Sequence, residues 1–315
     1  ISHPGGCVIG ARPLDTHLEA LRDLGATVES EENFYNIELK DVLNTEVILK
    51  EFSVTATENV LMAAALSPRK ILLKISAVEP HVIELVGFLK KMGVAVDLAE
   101  SHAFTISGTK KCSGAEHRVG YDPIEAGTFL VIASLLGKGK IVVRNVPMGH
   151  LDLVMLKLRE FGVVYSSVYS EATKAYDIKM EQYGPLRATN IQALPYPGFP
   201  TDLQAPFCVL ATQAHGMSLI HETMYEGRLK HADELHKMGA NTIICDPHRV
   251  LISGPTPLYG REITSFDLRS GATLIIAALL AKGESIIHNI EQVDRGYEKI
   301  EERLLALGAD IKRIS

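Results

Sequence analysis

The sequence predicts an α/β fold assembled from copies of one βαβαββ unit. Three observations predict it. First, LRDLGATVES (21–30), LKKMGVAVDL (89–98), LREFGVVYSS (158–167), LHKMGANTII (235–244) and LLALGADIKR (304–313) read alike. Each runs from an amphipathic helical end through a glycine into an alternating, strand-like stretch. Second, a small-residue helix, a Gly or Pro turn and an apolar strand recur between them: MAAALSPRKILLK (62–74), VIASLLGKGKIVVRN (131–145), VLATQAHGMSLIHE (209–222) and AALLAKGESIIHN (277–289). Third, the period is roughly 70 residues, too long for a solenoid repeat and suited to a small folded module.

The elements follow in order. Gly25, Gly93, Gly162, Gly239 and Gly308 stand where a helix end needs a positive φ. Ile83, Val86, Leu89 and Met92, three apart, predict the buried face of a helix. The alternation in His102-Ala-Phe-Thr-Ile-Ser predicts a closing strand. Thr16-x-x-Glu19 and Thr55-x-x-Glu58 have capping-box spacing and predict helix starts. Thr-Ala-Thr at 55–57 and Ala-Gly-Thr at 126–128 place small residues in first turns, where backbone amides are available to a ligand. Four units thus read as nearly complete. The first is a tail of one helix, Gly25 and two strands. The chain starts at Ile1 rather than at Met. The expectation is an N-terminally truncated chain with its first unit incomplete; an atypical capping unit is the alternative.

Bulk properties exclude several classes. The chain has 315 residues, enough for two domains, with 46% apolar and 22% charged residues. The net charge of −6 gives no basic field for nucleic acid. No apolar run reaches the ~20 residues of a membrane span, and no signal-peptide h-region is present. The 4 cysteines, Cys7, Cys112, Cys208 and Cys245, form no CxxC pair, and the 12 histidines show no metal-ligand spacing. The expectation is a chain without metal or cofactor, in a reducing cytoplasm.

The motifs point to anion chemistry. In HPGGCVIGARPLD (3–15), Cys7 sits behind Gly5 and Gly6 and before Gly10 and Arg12. Such a run packs poorly, takes positive φ readily, and suits a mobile lid carrying a thiol near positive charge. Arg12, Arg269 in DLRSGAT and Arg295 in DRGYEK each stand beside a predicted helix start. Arginine's planar fork pairs with phosphate and carboxylate, and a helix N-terminus favours anions too. Their placement at equivalent repeat junctions predicts an anion site; ion pairs with Asp267 or Asp294 are the plainer reading. Asp202 follows two prolines in PGFPTD, and from spacing alone it is a helix N-cap.

In order along the whole chain, GGCVIGARPLDTHLEALRDLGA (5–26), FSVTATEN (52–59), YPGFPTDLQAPF (196–207), FDLRSGATLIIA (266–277) and VDRGYEKIEERLLALGA (293–309) resemble the UDP-N-acetylglucosamine enolpyruvyl transferases. The resemblance implies a two-domain, inside-out α/β barrel with a hinge. Residues 1–120 would be the remainder of the domain with the catalytic loop and sugar-nucleotide site, and 121–315 the second domain. It implies transfer of enolpyruvyl from phosphoenolpyruvate to the 3′-hydroxyl of UDP-N-acetylglucosamine with phosphate release, the first committed step of peptidoglycan synthesis. Both substrates are small molecules, without nucleic acid or membrane.

Residue by residue, the resemblance makes Cys7 the general acid, able to add covalently to phosphoenolpyruvate. Asp202 becomes the partner of the sugar hydroxyl. Arg12, Arg269 and Arg295 go to the phosphoenolpyruvate end or to closure over it. The sugar nucleotide would meet Arg12, Pro13, Leu14, Asp15 and Thr16, then Ser53, Val54, Thr55, Ala56 and Thr57, and also Met224. Glu226 and Arg228 read as structural, with Glu226 also a functional candidate. There are departures from the family pattern. Thr55 replaces a usual Gly and crowds a backbone approach to the ligand. Pro123 replaces a usual Arg, and Tyr196 a usual His. The family's front segment supplies a Lys-Asn pair and a further arginine, so the expectation is no turnover by this chain alone. The alternatives are the sister enzyme that makes 5-enolpyruvylshikimate 3-phosphate, a non-catalytic sugar-nucleotide remnant, and RNA 3′-phosphate cyclase. The acidic balance disfavours the last.

Overall fold

The structure is a computed structural model that describes residues 1–2, 9–10, 13–32, 34–137, 140–181 and 184–314. These residues group into two compact units.

The first unit holds residues 1–2 and 13–120. It opens with α1 (Asp15–Leu24), β1 (Thr27–Ser30) and β2 (Tyr35–Glu38), the strands pairing antiparallel. A full βαβαββ repeat follows: β3 (Glu46–Ile48), α2 (Val54–Ala64), β4 (Lys70–Lys74), α3 (Pro80–Lys91), β5 (Ala95–Glu100) and β6 (Ala103–Ser107). Its sheet runs β3-β4-β6-β5, with β3 parallel to β4 and the other pairs antiparallel. Ile71 opposite Ile106 and Leu73 opposite Phe104 set the register and face the core with Val47, Leu61 and Val96. On α3 the buried residues are Val82, Val86 and Leu89. Ile83, expected on that face, is exposed, because the stripe runs i, i+4, i+7 from Val82.

The second unit holds residues 9–10 and 121–314. Its first repeat is α4 (Pro123–Leu136), β7 (Val142–Val146), α5 (Asp152–Glu160), β8 (Tyr165–Ser170) and β9 (Ala175–Met180), with a three-stranded sheet β7-β9-β8. The next is complete: β10 (Ile191–Ala193), α6 (Thr201–Thr212), β11 (Gly216–Glu222), α7 (His231–Lys237), β12 (Asn241–Asp246) and β13 (Arg249–Gly254). Its order, β10-β11-β13-β12, repeats that of the first unit strand for strand. The last is β14 (Glu262–Thr264), α8 (Leu268–Leu280), β15 (Ile286–His288), a 3-10 turn over Ile290–Arg295 and α9 (Ile300–Ala306).

Of the four units expected to be nearly complete, two are complete among the described residues and a third lacks only its first strand; the expectation is corrected for the last, which lacks its two closing strands. The run after Gly308 forms no strand there. Ala309 and Ile311 instead pack on the core as irregular chain. The five repeat glycines, by contrast, have φ of 113°, 95°, 91°, 103° and 94°, where a Cβ is strained. In the second unit α4, α6 and α8 pack on one another and are buried nearly all round. Strands β8 and β12 lie outside with mostly exposed residues. Helices inside and strands outside is the inside-out α/β arrangement.

Candidate functional site

The first turns of the repeat helices carry the candidate residues, and their caps differ. Ser53 caps α2, its Oγ accepting from Ala56 N at 3.3 Å. Asp122 caps α4 through Ile124 N and Glu125 N at 2.7 and 3.1 Å, and Pro123 follows at the first helical position, which suits its fixed φ. Asp267 and Ser270 form a capping box on α8. The boxes expected at Thr16/Glu19 and Thr55/Glu58 are absent. Thr16 and Thr55 lie one residue inside their helices, behind Leu14–Asp15 and Ser53–Val54. The amides of Ala56, Ile124 and Glu125 are occupied by caps rather than open to a ligand.

Helix α6 differs from these. Pro200 holds its cap position and no side chain caps it. Asp202 is therefore not the cap that its spacing predicts; it is the second helical residue. Pro206 has no N–H to offer the Asp202 carbonyl. The Asp202 carboxylate instead joins two arginines. Arg228 Nη2 donates to Oδ1 at 2.5 Å. Arg269 donates to Oδ2 through Nε at 2.9 Å and Nη2 at 2.8 Å. The guanidiniums are 7% and 11% exposed and the carboxylate 30%, so one edge of Asp202 remains reachable. Burial disfavours its charge, but Arg228 and Arg269 outweigh that and hold the carboxyl below the usual range. Among the described residues, Arg228 Nε and Arg269 Nη1 are buried and find no acceptor.

Supporting residues fix this cluster. Buried Glu222 accepts from Thr201 Oγ1 at 2.5 Å and Met224 N at 2.9 Å, tying the start of α6 to the turn after β11. Arg228 lies against the Tyr225 ring, 5.4 Å from its centroid. His231, fully buried, meets the Arg228 carbonyl through Nδ1 at 3.1 Å and Cys208 Sγ through Nε2 at 3.3 Å. Burial lowers the His231 pKa to about 4 and raises that of the Cys208 thiol, so the pair is neutral. Arg269 lies 5.4 Å from the ring centroid of buried Tyr297, whose hydroxyl meets Thr128 Oγ1 at 2.7 Å.

Arg295 ends the 3-10 turn and lines a cleft of about 500 Å³ with Glu125, Asp294, Gly296, Glu298 and Arg303. Arg303 pairs with Glu125. A Cβ on Gly296 would lie 2.9 Å from Leu268 Cδ2 and 3.5 Å from Arg269 Nη1, so this turn seats against the start of α8. The expectation of equivalent junctions is corrected: Arg269 opens the first helix of its repeat, whereas Arg295 precedes the second. Nor are the observed partners those of the plainer reading. Arg269 takes Asp202, and Asp294 takes Arg313.

Cys7 and Arg12 lie outside the described residues. Ile9 and Gly10, just beyond Cys7, meet the turn before Arg228: Gly227 N donates to the Ile9 carbonyl at 2.9 Å, and a Cβ on Gly10 would lie 2.5 Å from Glu226 Oε2.

In the first unit the candidates gather at the starts of α1 and α2. Thr55 Oγ1 meets His17 Nε2 at 3.3 Å, and Asn59 Nδ2 meets His17 Nδ1 at 3.0 Å. Burial, opposed by Glu51, lowers the His17 pKa. Thr16 donates to Glu51 Oε1 at 3.0 Å. Thr57 is buried, donating to the Ser53 carbonyl at 2.8 Å and accepting from Ala77 N at 3.0 Å. Thr16, Ala56 and Thr57 thus turn their side chains inward. Pro13, Asp15 and Thr55 are exposed, and Leu14, Ser53 and Val54 half-buried. Met224 is 38% exposed.

Arg228, Glu222 and Tyr297 were not read as site residues from the sequence. A signal existed for Arg228: it precedes the second helix of its repeat, as Arg295 does.

Among the described residues no group of His, Cys, Asp or Glu is placed to hold a metal ion, and no helix is long and apolar enough to cross a membrane. The profile of the family described as EPSP synthase (3-phosphoshikimate 1-carboxyvinyltransferase) matches residues 1–304. The UDP-N-acetylglucosamine 1-carboxyvinyltransferase of Koribacter versatilis is 40% identical over 314 residues, covering 100% of this chain and 71% of that protein. That of Halothermothrix orenii is 42% identical over 313 residues, covering 99% of this chain and 73% of its own length. Among solved structures, the enolpyruvyl transferase NikO from Streptomyces tendae superposes with a TM-score of 0.86 at 22% identity, covering 95% of this chain and 72% of that one. An EPSP synthase from Acinetobacter baumannii gives 0.73 at 20% identity, covering 96% and 71%. At such identities the likeness shows the fold, which is that of the enolpyruvyl transferases.

Proposed function

The chain belongs to the UDP-N-acetylglucosamine 1-carboxyvinyltransferase family, and on that premise we propose that its site serves transfer of the enolpyruvyl group of phosphoenolpyruvate to the 3′-hydroxyl of UDP-N-acetylglucosamine with release of phosphate, the chain by itself being expected not to turn over. The observation that carries this reading is Asp202, held ionised between Arg228 and Arg269 at the first turn of α6.

The reaction joins the sugar oxygen to C2 of phosphoenolpyruvate as C3 gains a proton. The tetrahedral adduct then loses a C3 proton and breaks its C2–O bond to phosphate, restoring the double bond. Three things must be supplied: cations for the anionic substrate, a proton at C3 and an acceptor for the hydroxyl proton. Asp202 is the acceptor. Clamped by two arginines it is a weak base at rest, so it orients the hydroxyl and takes the proton only as C2 becomes electron-poor. That Arg228 Nε and Arg269 Nη1 find no acceptor among the described residues supports a role in holding anionic groups. Arg295 in its cleft is a third cation, and Arg12 a fourth. Cys7 is the general acid on the strength of the family motif. The sugar nucleotide is assigned to the starts of α1 and α2 and to Met224, where the exposed edges of Pro13, Asp15 and Thr55 support contact. In this reading residues 1–120 are the remainder of the domain with the catalytic loop and most of the sugar-nucleotide contacts, and 121–315 are the second domain, which adds Met224. The same reading places the reaction in the cytoplasm, at the entry to peptidoglycan synthesis.

The test is peptide mass mapping of Cys7 after exposure to fosfomycin, an epoxide that mimics phosphoenolpyruvate, with and without UDP-N-acetylglucosamine. The expected result is labelling at Cys7 that rises with UDP-N-acetylglucosamine, does not rise with shikimate 3-phosphate, and disappears in Cys7→Asp. Labelling that is indifferent to the sugar nucleotide overturns the reading.

A further inference from the structure

We propose that Arg313 is a positioning residue for anion capture: from outside the charged cleft it pairs with Asp294 and Glu301 and so keeps the Asp294 charge from competing at Arg295. This rests on the reading that the cleft receives the phosphoenolpyruvate anion.

The chain path puts Arg313 there. Gly308, at φ 94°, reverses the chain after α9, and Ala309 N donates back to the Leu304 carbonyl at 3.1 Å. Ala309 and Ile311 then pack against the core, which fixes the direction of the segment. Arg313 reaches back to the 3-10 turn. Its Nη1 donates to Asp294 Oδ2 at 2.7 Å and its Nη2 to Asp294 Oδ1 at 2.6 Å, a two-pronged pair. Its Nε lies 3.0 Å from Glu301 Oε1 and its Nη2 donates to Glu301 Oε2 at 3.1 Å. One planar guanidinium thus spans two carboxylates, a geometry lysine cannot reproduce.

The charge balance of the cleft gives this pairing a function. Glu125, Asp294 and Glu298 line it beside Arg295 and Arg303, three carboxylates to two guanidiniums. Arg303 is already engaged by Glu125. Asp294 is the immediate neighbour of Arg295, so its charge, if uncompensated, opposes any anion arriving there. Arg313 is not part of the lining; it supplies the missing positive charge from behind. The pairing also holds the Asp294 carboxyl below the usual range, through its hydrogen bonds first. With Arg313 and Asp294 37% and 43% exposed, the pair adds little to folding stability. Its expected effect is on ligand charge recognition, which separates it from a merely structural bridge.

The experiment titrates phosphoenolpyruvate into the chain with UDP-N-acetylglucosamine present, comparing the parent, Arg313→Gln and the double variant Asp294→Asn/Arg313→Gln. Thermal melts on the same samples report folding. Expected for Arg313→Gln is about tenfold weaker phosphoenolpyruvate binding that narrows as salt is raised. Its UDP-N-acetylglucosamine affinity and melting temperature stay close to the parent's. The double variant recovers most of the loss, because the opposing charge has gone. Arg313→Gln binding like the parent, or a double variant no better than Arg313→Gln, overturns the proposal while the functional reading stands. A parent chain that binds no phosphoenolpyruvate overturns the reading and the proposal with it, and is recognised before any substitution is compared.

Discussion

The second residue of the first helix is the same place in every repeat, yet the two units put different chemistry there. In the first unit it is Thr55, whose hydroxyl meets His17 at 3.3 Å while Ser53 caps the helix. In the second it is Ile124 on α4, Asp202 on α6 and Arg269 on α8. The first unit satisfies its helix start with neutral groups. The second sets an anion on one helix and a cation on the next, and the packing of α6 on α8 brings them within 2.9 Å. A carboxylate suits a helix N-terminus and a guanidinium does not. Arg269 therefore depends on Asp202 in front and on the Asp267 cap behind. The difference teaches that the repeat supplies a position, and that charge enters only where a neighbouring repeat answers it.

Breaking the charged pair has the largest expected effect. Asp202→Asn leaves Arg228 and Arg269 buried without a counter-charge, and urea unfolding should show a loss of about 3 kcal/mol. In an active form of the enzyme turnover should fall far more than UDP-N-acetylglucosamine affinity; equal losses would make Asp202 a structural residue only. The pH dependence has a fixed sign. The folded carboxyl titrates below its unfolded value, so its contribution is complete above about pH 4 and is lost as pH falls through the folded value. The stability gap between parent and Asp202→Asn should therefore narrow below about pH 4, and a gap that stays constant to lower pH would remove the ion pair as its cause.

Most of the fold was legible because the repeat writes itself several times. Helix end, glycine and strand recur, and the glycine needs a positive φ that few other residues accept. Irregular chain was harder. ADIKR after Gly308 alternates like a strand, but with no partner among the described residues it packs through Ala309 and Ile311 instead. The caps were misread for a local reason. T-x-x-E spacing occurs one residue inside a helix as easily as at its start, and only the backbone register separates the two. Asp202 and Asp267 illustrate the same limit. Both precede Leu in similar motifs, but Asp267 caps α8 and Asp202 lies two residues further into α6. Arg228 and Tyr297 were not legible as site residues, since their meaning comes from partners 26 and 169 positions away.

Glycines sharpen the contrast at intermediate size. Gly127 on α4 faces α6: a Cβ would sit 2.4 Å from Leu203 Cδ1. Gly127→Ala should destabilise by about 1–3 kcal/mol although alanine is the better helix former. Gly87 on α3 in the first unit has nothing within 4 Å of a Cβ. Gly87→Ala should stabilise by about 0.5–1 kcal/mol. Equilibrium unfolding of both variants checks the pair. The same sign at both sites would mean that the close packing of α4 on α6 is not what excludes a side chain.

The smallest expected effect concerns Thr55, the neutral member of the series. Its side chain is exposed, so Thr55→Val and Thr55→Gly should each change stability by no more than about 1 kcal/mol. Binding separates two ways in which Thr55 could obstruct a sugar nucleotide at the start of α2. If the Cβ crowds the backbone, Thr55→Gly should tighten UDP-N-acetylglucosamine binding by about threefold while Thr55→Val leaves it unchanged. If the hydroxyl bond to His17 is the obstacle, both variants release His17 and both should tighten binding alike. The expected outcome is the first, because His17 keeps its second contact, to Asn59 at 3.0 Å, in either variant. Equal tightening by valine and glycine would move the obstruction from the backbone to the His17 ring.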